Sequence, residues 1–241
     1  MRPGKQLVNV ISDDNSIKVA EGVFEAGLDS AIDDGVLRDF PVIGTVVALG
    51  KAFGSYRDYR LGKKVVHFLQ EVSKLSWSER ARVVDEIAGS DAKKEQLGDV
   101  LIDLLDKVDA EEKAEILGKL FVGVGRGEIV AKDYVRLATM VAGVFMEDLR
   151  AIGPGRSALA ASQERRFALQ AHGFLVFNIR NPVKKLADEF SGINFSGGGS
   201  QDGPLEFEWA ISEDGRMILN YCFPPTRISE LQDKLRRAFK T

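Results

Sequence analysis

The sequence predicts a mainly α protein, an N-terminal helical bundle followed by a small α+β module. Three observations carry that reading. Apolar residues recur at helical spacing through most of the chain from Ile17 to Ile152, with short connections between the runs, the pattern of helices that each bury one face. Gly153-Pro154-Gly155 then forms a turn through which neither neighbouring helix can continue. Beyond it the period changes: Leu205–Ile211 alternates as a strand, with Phe207, Trp209 and Ile211 on one face. The expected organisation is a flexible lead-in over 1–15 and a helical domain over 16–152 with a central apolar helix at 41–61. The α+β module takes 156–241 and holds a long flexible loop at 191–204.

Composition bounds the function classes. Hydrophobic residues make up 44% and charged residues 29% of the 241, a globular balance rather than a disordered one. The net charge of -3 gives no global argument for nucleic acid, but residues 151–241 carry 12 Lys and Arg against 10 Asp and Glu, so only the last third is mildly basic. A single cysteine, Cys222, excludes an internal disulfide and a cysteine-rich zinc site. Met1–Asn9 is polar and no apolar signal core follows, so the expected compartment is the cytoplasm.

Taken in order, Ser12-Asp13-Asp14-Asn15 offers capping side chains, and Val19, Ala20, Val23, Phe24, Leu28, Ala31 and Ile32 mark a helix that stops at Asp33-Asp34-Gly35. Asp39 and Pro41 start the next, since proline suits a first turn where its missing N–H is not needed. That helix runs to about Leu61, and Gly62-Lys63-Lys64 begins another with Val65, Val66, Phe68, Leu69 and Val72 on one side. Ser76-Trp77-Ser78-Glu79 is a capping box, and Asp109-Ala110-Glu111-Glu112 follows the same logic. Between them Asp91–Lys107 carries the stripe Leu97, Val100, Leu101, Leu104 and Leu105; residues 112–126 repeat it, and Tyr134–Ile152 reads as one more long helix. In the module a helix over Ser157–His172 ends at Gly173, and Phe174–Ile179 is a β-rich run. Ser212-Glu213-Asp214-Gly215 opens a short helix to Tyr221, and Ile228–Phe239 is a last amphipathic helix beyond Pro224-Pro225.

The most apolar run is Asp39–Tyr56, nearly continuous only from Phe40 to Ala52. It is too short to cross a bilayer core alone, which takes about 20 residues. Gly50 and Gly54 give it a G-x-x-x-G spacing, which lets helix backbones approach closely. Three placements follow: a buried central helix, a membrane-inserting hairpin of residues 16–60 flanked by Arg57, Arg60, Lys63 and Lys64, or a self-association seam. Asp29, Asp33, Asp34 and Asp39 weigh against deep insertion, so core ranks before membrane and membrane before self-association. In the last two placements Val42, Ile43, Val46, Val47, Leu49, Gly50, Phe53 and Gly54 carry the contact, and in the second the protein associates with the inner membrane.

Little in the chain marks chemistry. His67 and Glu71 stand at i,i+4, but two side chains are too few for a metal, and a helix-surface pair is the better reading. His172 sits at a helix C-terminus, where a partial positive charge suits the dipole. Gly123-Val124-Gly125-Arg126-Gly127 closes an amphipathic helix rather than opening one, unlike a phosphate loop. Asp103, Asp106 and Asp109 are spaced by three, unlike a calcium loop, and read as a solvated helix face. No G-x-S-x-G, H-E-x-x-H or Cys/His arrangement is present. The expectation is no catalytic activity, no cofactor, no metal and no small-molecule substrate.

The module carries a more specific pattern. Leu169-x-x-x-Gly173-Phe174-Leu175-Val176, then Phe207-x-Trp209-x-Ile211-Ser212-x-x-Gly215-Arg216-x-Ile218-Leu219, resembles the end of a winged-helix domain over about residues 155–221. In that family a helix ends at a glycine, a β-hairpin follows, and a short helix opens with Ser/Thr-x-x-Gly. The chain departs from it in the hairpin tip, where residues 180–204 are far longer than an ordinary wing. The resemblance implies that helix 157–172 is the recognition helix and that Arg156, Gln163, Arg165, Arg166, Arg180, Lys184 and Lys185 meet phosphates or base edges. The mild charge of the module favours an interaction module over DNA binding. Asp33–Val72 is also similar to a segment of uncharacterised bacterial helical proteins that resemble accessory components of stress or antiphage systems. The expected function is a non-enzymatic bacterial interaction or effector protein that engages a protein partner or itself, with peripheral membrane contact through 40–56. The alternative is a winged-helix regulator that binds DNA.

Overall fold

In a computed structural model of the chain, the described residues are 3–18, 56–153, 158–180 and 206–223. They are mainly helical with one small two-stranded sheet. The chain divides into two compact units, Met1–Glu147 with Asn220–Pro224, and Asp148–Leu219 with Pro225–Thr241. Most of the apolar stretch 40–56, the helix expected from Ile17 to Ile32 apart from its first two residues, the loop 191–204 and the helix 228–239 lie outside the described residues. Among the described residues, no helix is long and apolar enough to cross a membrane.

The first unit begins with a correction. Residues 3–12, expected to be part of a flexible lead-in, form helix α1 (Pro3–Ser12). Leu7, Val8, Val10 and Ile11 are buried on it, and that packing supplies what a ten-residue helix lacks by itself. Helix α2 (Tyr56–Val72) runs straight through Gly62, where a new helix was expected. A mid-helix glycine costs about 1 kcal/mol, and the burial of Leu61, Val65, Val66, Phe68, Leu69 and Val72 outweighs it. Helices α3 (Trp77–Ala88), α4 (Asp91–Lys107), α5 (Glu111–Gly125) and α6 (Tyr134–Gly143) follow, then α7 (Met146–Ala151), whose residues from Asp148 belong to the second unit.

The capping box before α3 is present in full: Ser76 Oγ accepts from the Glu79 N–H, and the Ser76 N–H donates to Glu79 Oε2 at 2.8 Å. The second expected box is not formed. Ala110 is the residue before α5, and the Asp109 carboxylate instead accepts from Lys113 Nζ at 2.7 Å, because that ammonium is buried and needs a counter-charge. Lys113 also donates to the Val144 carbonyl. Val144 is extended, which is why the long helix expected over Tyr134–Ile152 is two helices, with the freed carbonyl satisfied from α5.

Glycine sets two close crossings. A Cβ on Gly98 of α4 would collide with the Gly4 carbonyl of α1. A Cβ on Gly118 of α5 would lie 2.6 Å from the Glu71 Cβ on α2. Against that second crossing, Phe68, Phe121 and Tyr134 form edge-to-face contacts with centroids 6.1 and 5.8 Å apart. The Tyr134 hydroxyl donates to the Leu117 carbonyl at 3.3 Å, so the largest fully buried ring among the described residues has its polar end satisfied.

The second unit contains α8 (Gln163–Ala171), β1 (Leu175–Arg180), β2 (Glu206–Ile211) and the start of α9 (Glu213–Cys222), whose residues from Asn220 belong to the first unit. α8 is shorter than the helix expected over Ser157–His172: a 3-10 turn occupies Ala158–Ala160, and Ser162 caps the helix proper. β1 and β2 pair antiparallel, with Leu175 opposite Ile211, Phe177 opposite Trp209 and Ile179 opposite Phe207.

Candidate functional site

The helix–hairpin unit is built by local chemistry. α8 ends at Gly173 in the left-handed region (φ 83°), with the Phe174 N–H on the Leu169 carbonyl and the Gly173 N–H on the Gln170 carbonyl. This is the double bond of a Schellman cap, and Leu169 and Phe174 bury the apolar contact that accompanies it. Ser212 ties the next turn to that one. Its hydroxyl donates to the Gly173 carbonyl at 2.6 Å and accepts from the Gly215 N–H at 2.8 Å, while its own N–H donates to the Phe174 carbonyl. Gly215 is needed there, since a Cβ would lie 2.5 Å from the Phe174 carbonyl oxygen. The Ser-x-x-Gly spacing therefore fixes α9 onto the end of α8.

On this frame stands an apolar face. Leu175, Phe177 and Ile179 alternate along β1 opposite Ile211, Trp209 and Phe207. Leu175, at the end next to α8, is buried, but exposure grows outward to 41% at Phe177 and 61% at Ile179. Trp209 lies edge-on to Phe177 at 5.0 Å between centroids and to Phe167 of α8 at 5.4 Å; Phe167 is 54% exposed. The Arg166 guanidinium sits 5.9 Å from the Trp209 ring centre. Three aromatic rings and an isoleucine thus share one outward surface, an exposed patch of the kind that marks interaction sites.

The residues implied by the winged-helix resemblance are only partly brought together. Gln163 opens α8 and is exposed. Arg165 is half-exposed, and its Nε lies 3.4 Å from Asp148 Oδ1. Arg166 is turned onto Trp209 rather than outward, with its Nε buried and without a hydrogen-bond partner. Arg180 ends β1, opposite Glu206 in the register. Arg156, Lys184 and Lys185 lie outside the described residues, as do Val42, Ile43, Val46, Val47, Leu49, Gly50, Phe53 and Gly54. Sequence reasoning passed over Phe167, Phe177 and Ile179. The alternation of 175–179 against Phe207 and Trp209 was the available signal for the two on β1; nothing in the sequence places Phe167 beside them.

The histidine of the first unit is also differently partnered. His67 Nδ1 lies 3.0 Å from Glu115 Oε1 and Nε2 lies 3.4 Å from Glu111 Oε2, both on α5, so it joins two helices rather than pairing with Glu71 along its own. Among the described residues, no group of three or more His, Cys, Asp or Glu is arranged to hold a metal ion. No protein-family model, curated protein or solved structure matches the chain.

Proposed function

We propose that the chain is a non-enzymatic interaction protein whose C-terminal unit docks another protein through the face of Phe167, Phe177, Ile179 and Trp209. The observation that carries this reading is the outward gradient of exposure along that face. A strand pair whose apolar side were meant for its own core would bury its outer residues as it buries Leu175. The order of helix, glycine turn, hairpin and Ser-capped helix supports a winged-helix-like module used for contact. The apolar stretch 40–56, where it is not taken up in the core, offers a second contact, to a membrane surface or to another copy.

The test is a photo-crosslinking residue placed at position 177 of the full chain in cells that express it, with position 93 as an exposed control on α4. Adducts at 177 that are absent at 93 support the reading, and their mass distinguishes a second copy from another protein. Position 177 yielding no more adduct than 93 overturns it. A DNA-binding reading draws support from the exposed Gln163 and Arg165 at the start of α8, but the contacts of Arg165 with Asp148 and of Arg166 with Trp209 weigh against it. It requires binding that falls steeply with salt and with Arg165→Ala plus Arg166→Ala.

A further inference from the structure

A groove of about 220 Å³ opens in the first unit where the end of α2, the second half of α5 and Asn220-Tyr221 meet. We propose that it binds a small phosphate monoester, with the phosphoryl group on Lys119 and Arg126 and the organic part against Tyr221 and Val122.

Charge points to an anion. Lys74, Lys119 and Arg126 line the groove against the single carboxylate of Glu71. Lys74 Nζ is already paired with Glu71 Oε2 at 2.6 Å. That leaves Lys119, whose nearest paired carboxylate is Glu115 at 3.9 Å, and Arg126, which forms no ion pair among the described residues. The Glu79 and Glu128 carboxylates stand nearby and keep their charge, and Glu79 feels that of Arg126, but neither forms an ion pair with Arg126 and neither lines the groove. Lys119, held only loosely by Glu115, and Arg126 offer two cations to a dianion, and a guanidinium fork matches two phosphate oxygens.

A cation at the end of a helix often serves only to cap it. Arg126 does not have that task. The Arg126 N–H bonds the Val122 carbonyl, the Gly127 N–H bonds that of Val124, and the Glu128 and Ile129 N–H groups share that of Gly123. The last carbonyl of α5, Gly125, accepts from Arg82 Nη2 at 2.7 Å. The helix end is satisfied without the Arg126 side chain, which is exposed at the groove.

The organic wall is fixed too. The Tyr221 hydroxyl donates to Glu128 Oε2 at 2.8 Å, and burial together with that carboxylate pushes its pKa far up, so the ring stays neutral. A Cβ on Gly123 would come within 2.6 Å of the Tyr221 oxygen, so glycine at 123 is what admits the ring. The volume suits a phosphoryl group with one small ring and is below the ~300 Å³ at which sites for larger ligands begin.

The test is titration of the full chain with phenyl phosphate, followed by calorimetry and by phosphorus NMR. Saturable one-to-one binding is expected, with none for phenol. Arg126→Ala and Lys119→Ala should each weaken it by about tenfold or more. Arg126→Lys should lose part of that, and Lys93→Ala on α4 should lose none. Arg126 is exposed, and unchanged circular dichroism of its variants shows that they fold. Vesicles of phosphatidic acid that displace phenyl phosphate assign the phosphate to a lipid headgroup, and no displacement assigns it to a soluble ester. Absence of saturation, or equal losses in Lys93→Ala and Arg126→Ala, would overturn the proposal.

Discussion

Arg80→Met is the most informative single change in the first unit. Arg80 is 1% exposed, among the largest fully buried side chains described. Its Nε donates to the Ile11 carbonyl at 2.8 Å, Nη1 to the Leu75 carbonyl at 2.6 Å, and Nη2 to Asp14 Oδ1 at 3.1 Å. Methionine replaces most of the stem, so the cavity is small and the change isolates the guanidinium. Two buried carbonyls then lose their donor, at about 1–3 kcal/mol each. Relief from burying a charge offsets part of that. The net expectation is a loss of about 2–4 kcal/mol, read from urea unfolding followed by far-ultraviolet circular dichroism. Hydrogen exchange should show α1 amides opening first, since Ile11 is where α1 is fastened. Asp14→Asn should cost clearly less than Arg80→Met, because Asp14 is half exposed and solvent screens its pairing with the Arg80 guanidinium. A loss under about 0.5 kcal/mol for Arg80→Met, or an equal loss for Asp14→Asn, would refute the claim that the backbone carbonyls are the functional acceptors.

Further expectations follow from the same contacts. Gly98→Ala drives a methyl group into the Gly4 carbonyl and should destabilise the first unit by about 1–3 kcal/mol, measured as a lower urea midpoint. Ser212→Ala removes both the cap of α9 and the tie to Gly173 and should cost about 1–2 kcal/mol, read from exchange of the Gly215 and Arg216 amides. Burial pushes the Cys222 thiol from 9.0 up to about 12, so the folded chain keeps that proton after the unfolded chain has lost it. The resulting stability is full below pH 9.0 and is lost as pH rises towards about 12, and Cys222→Ser should flatten that decline in alkaline urea titrations. Burial raises the Asp109 pKa, but the Lys113 hydrogen bond and charge outweigh it and leave it below 3.8. Its contribution is present above pH 3.8 and lost as pH falls through the folded value, a loss that Asp109→Asn should remove from acid unfolding curves.

What was legible in the sequence was local. The Ser76 box, the Gly173 stop and the Ser212-x-x-Gly215 turn involve residues a few positions apart, and their side chains serve the backbone beside them. The strand face of Phe207, Trp209 and Ile211 was readable because alternation needs no partner to be seen. Contacts between distant segments were not readable. Arg80 reaches Ile11 across 69 residues, Lys113 reaches Val144 across 31, and His67 takes carboxylates from α5. Each depends on how helices pack, which periodicity does not specify. α1 was mistaken for a lead-in because its apolar residues occupy barely three turns, and its stability comes from the crossing at Gly4 and Gly98. The site followed the same division: Trp209 was visible, whereas Phe167 and the turn of Arg166 onto that ring came from α8 packing on the hairpin.

The long-range contacts of the first unit share one logic. The last carbonyls of a helix have no partner within it, and here cations from other helices supply one. Arg80 of α3 serves Ile11 at the end of α1, Lys64 of α2 serves Asp106 near the end of α4, and Arg82 of α3 serves Gly125 at the end of α5. Lys113 of α5 serves Val144 just beyond α6. Each contact satisfies an orphan acceptor and complements a helix dipole, and those of the buried Lys64, Arg80 and Lys113 also select one packing of two helices, because such a cation on the wrong helix would be buried without an acceptor. The same logic separates structural cations from available ones. Lys64, Arg80 and Lys113 are buried and committed to carbonyls, so their presence says nothing about ligands. Arg126 stands just beyond α5, where Arg82 already does the capping, and it is exposed and lines an open groove. A cation left over after the backbone has been satisfied is the one whose position calls for a partner from outside the chain.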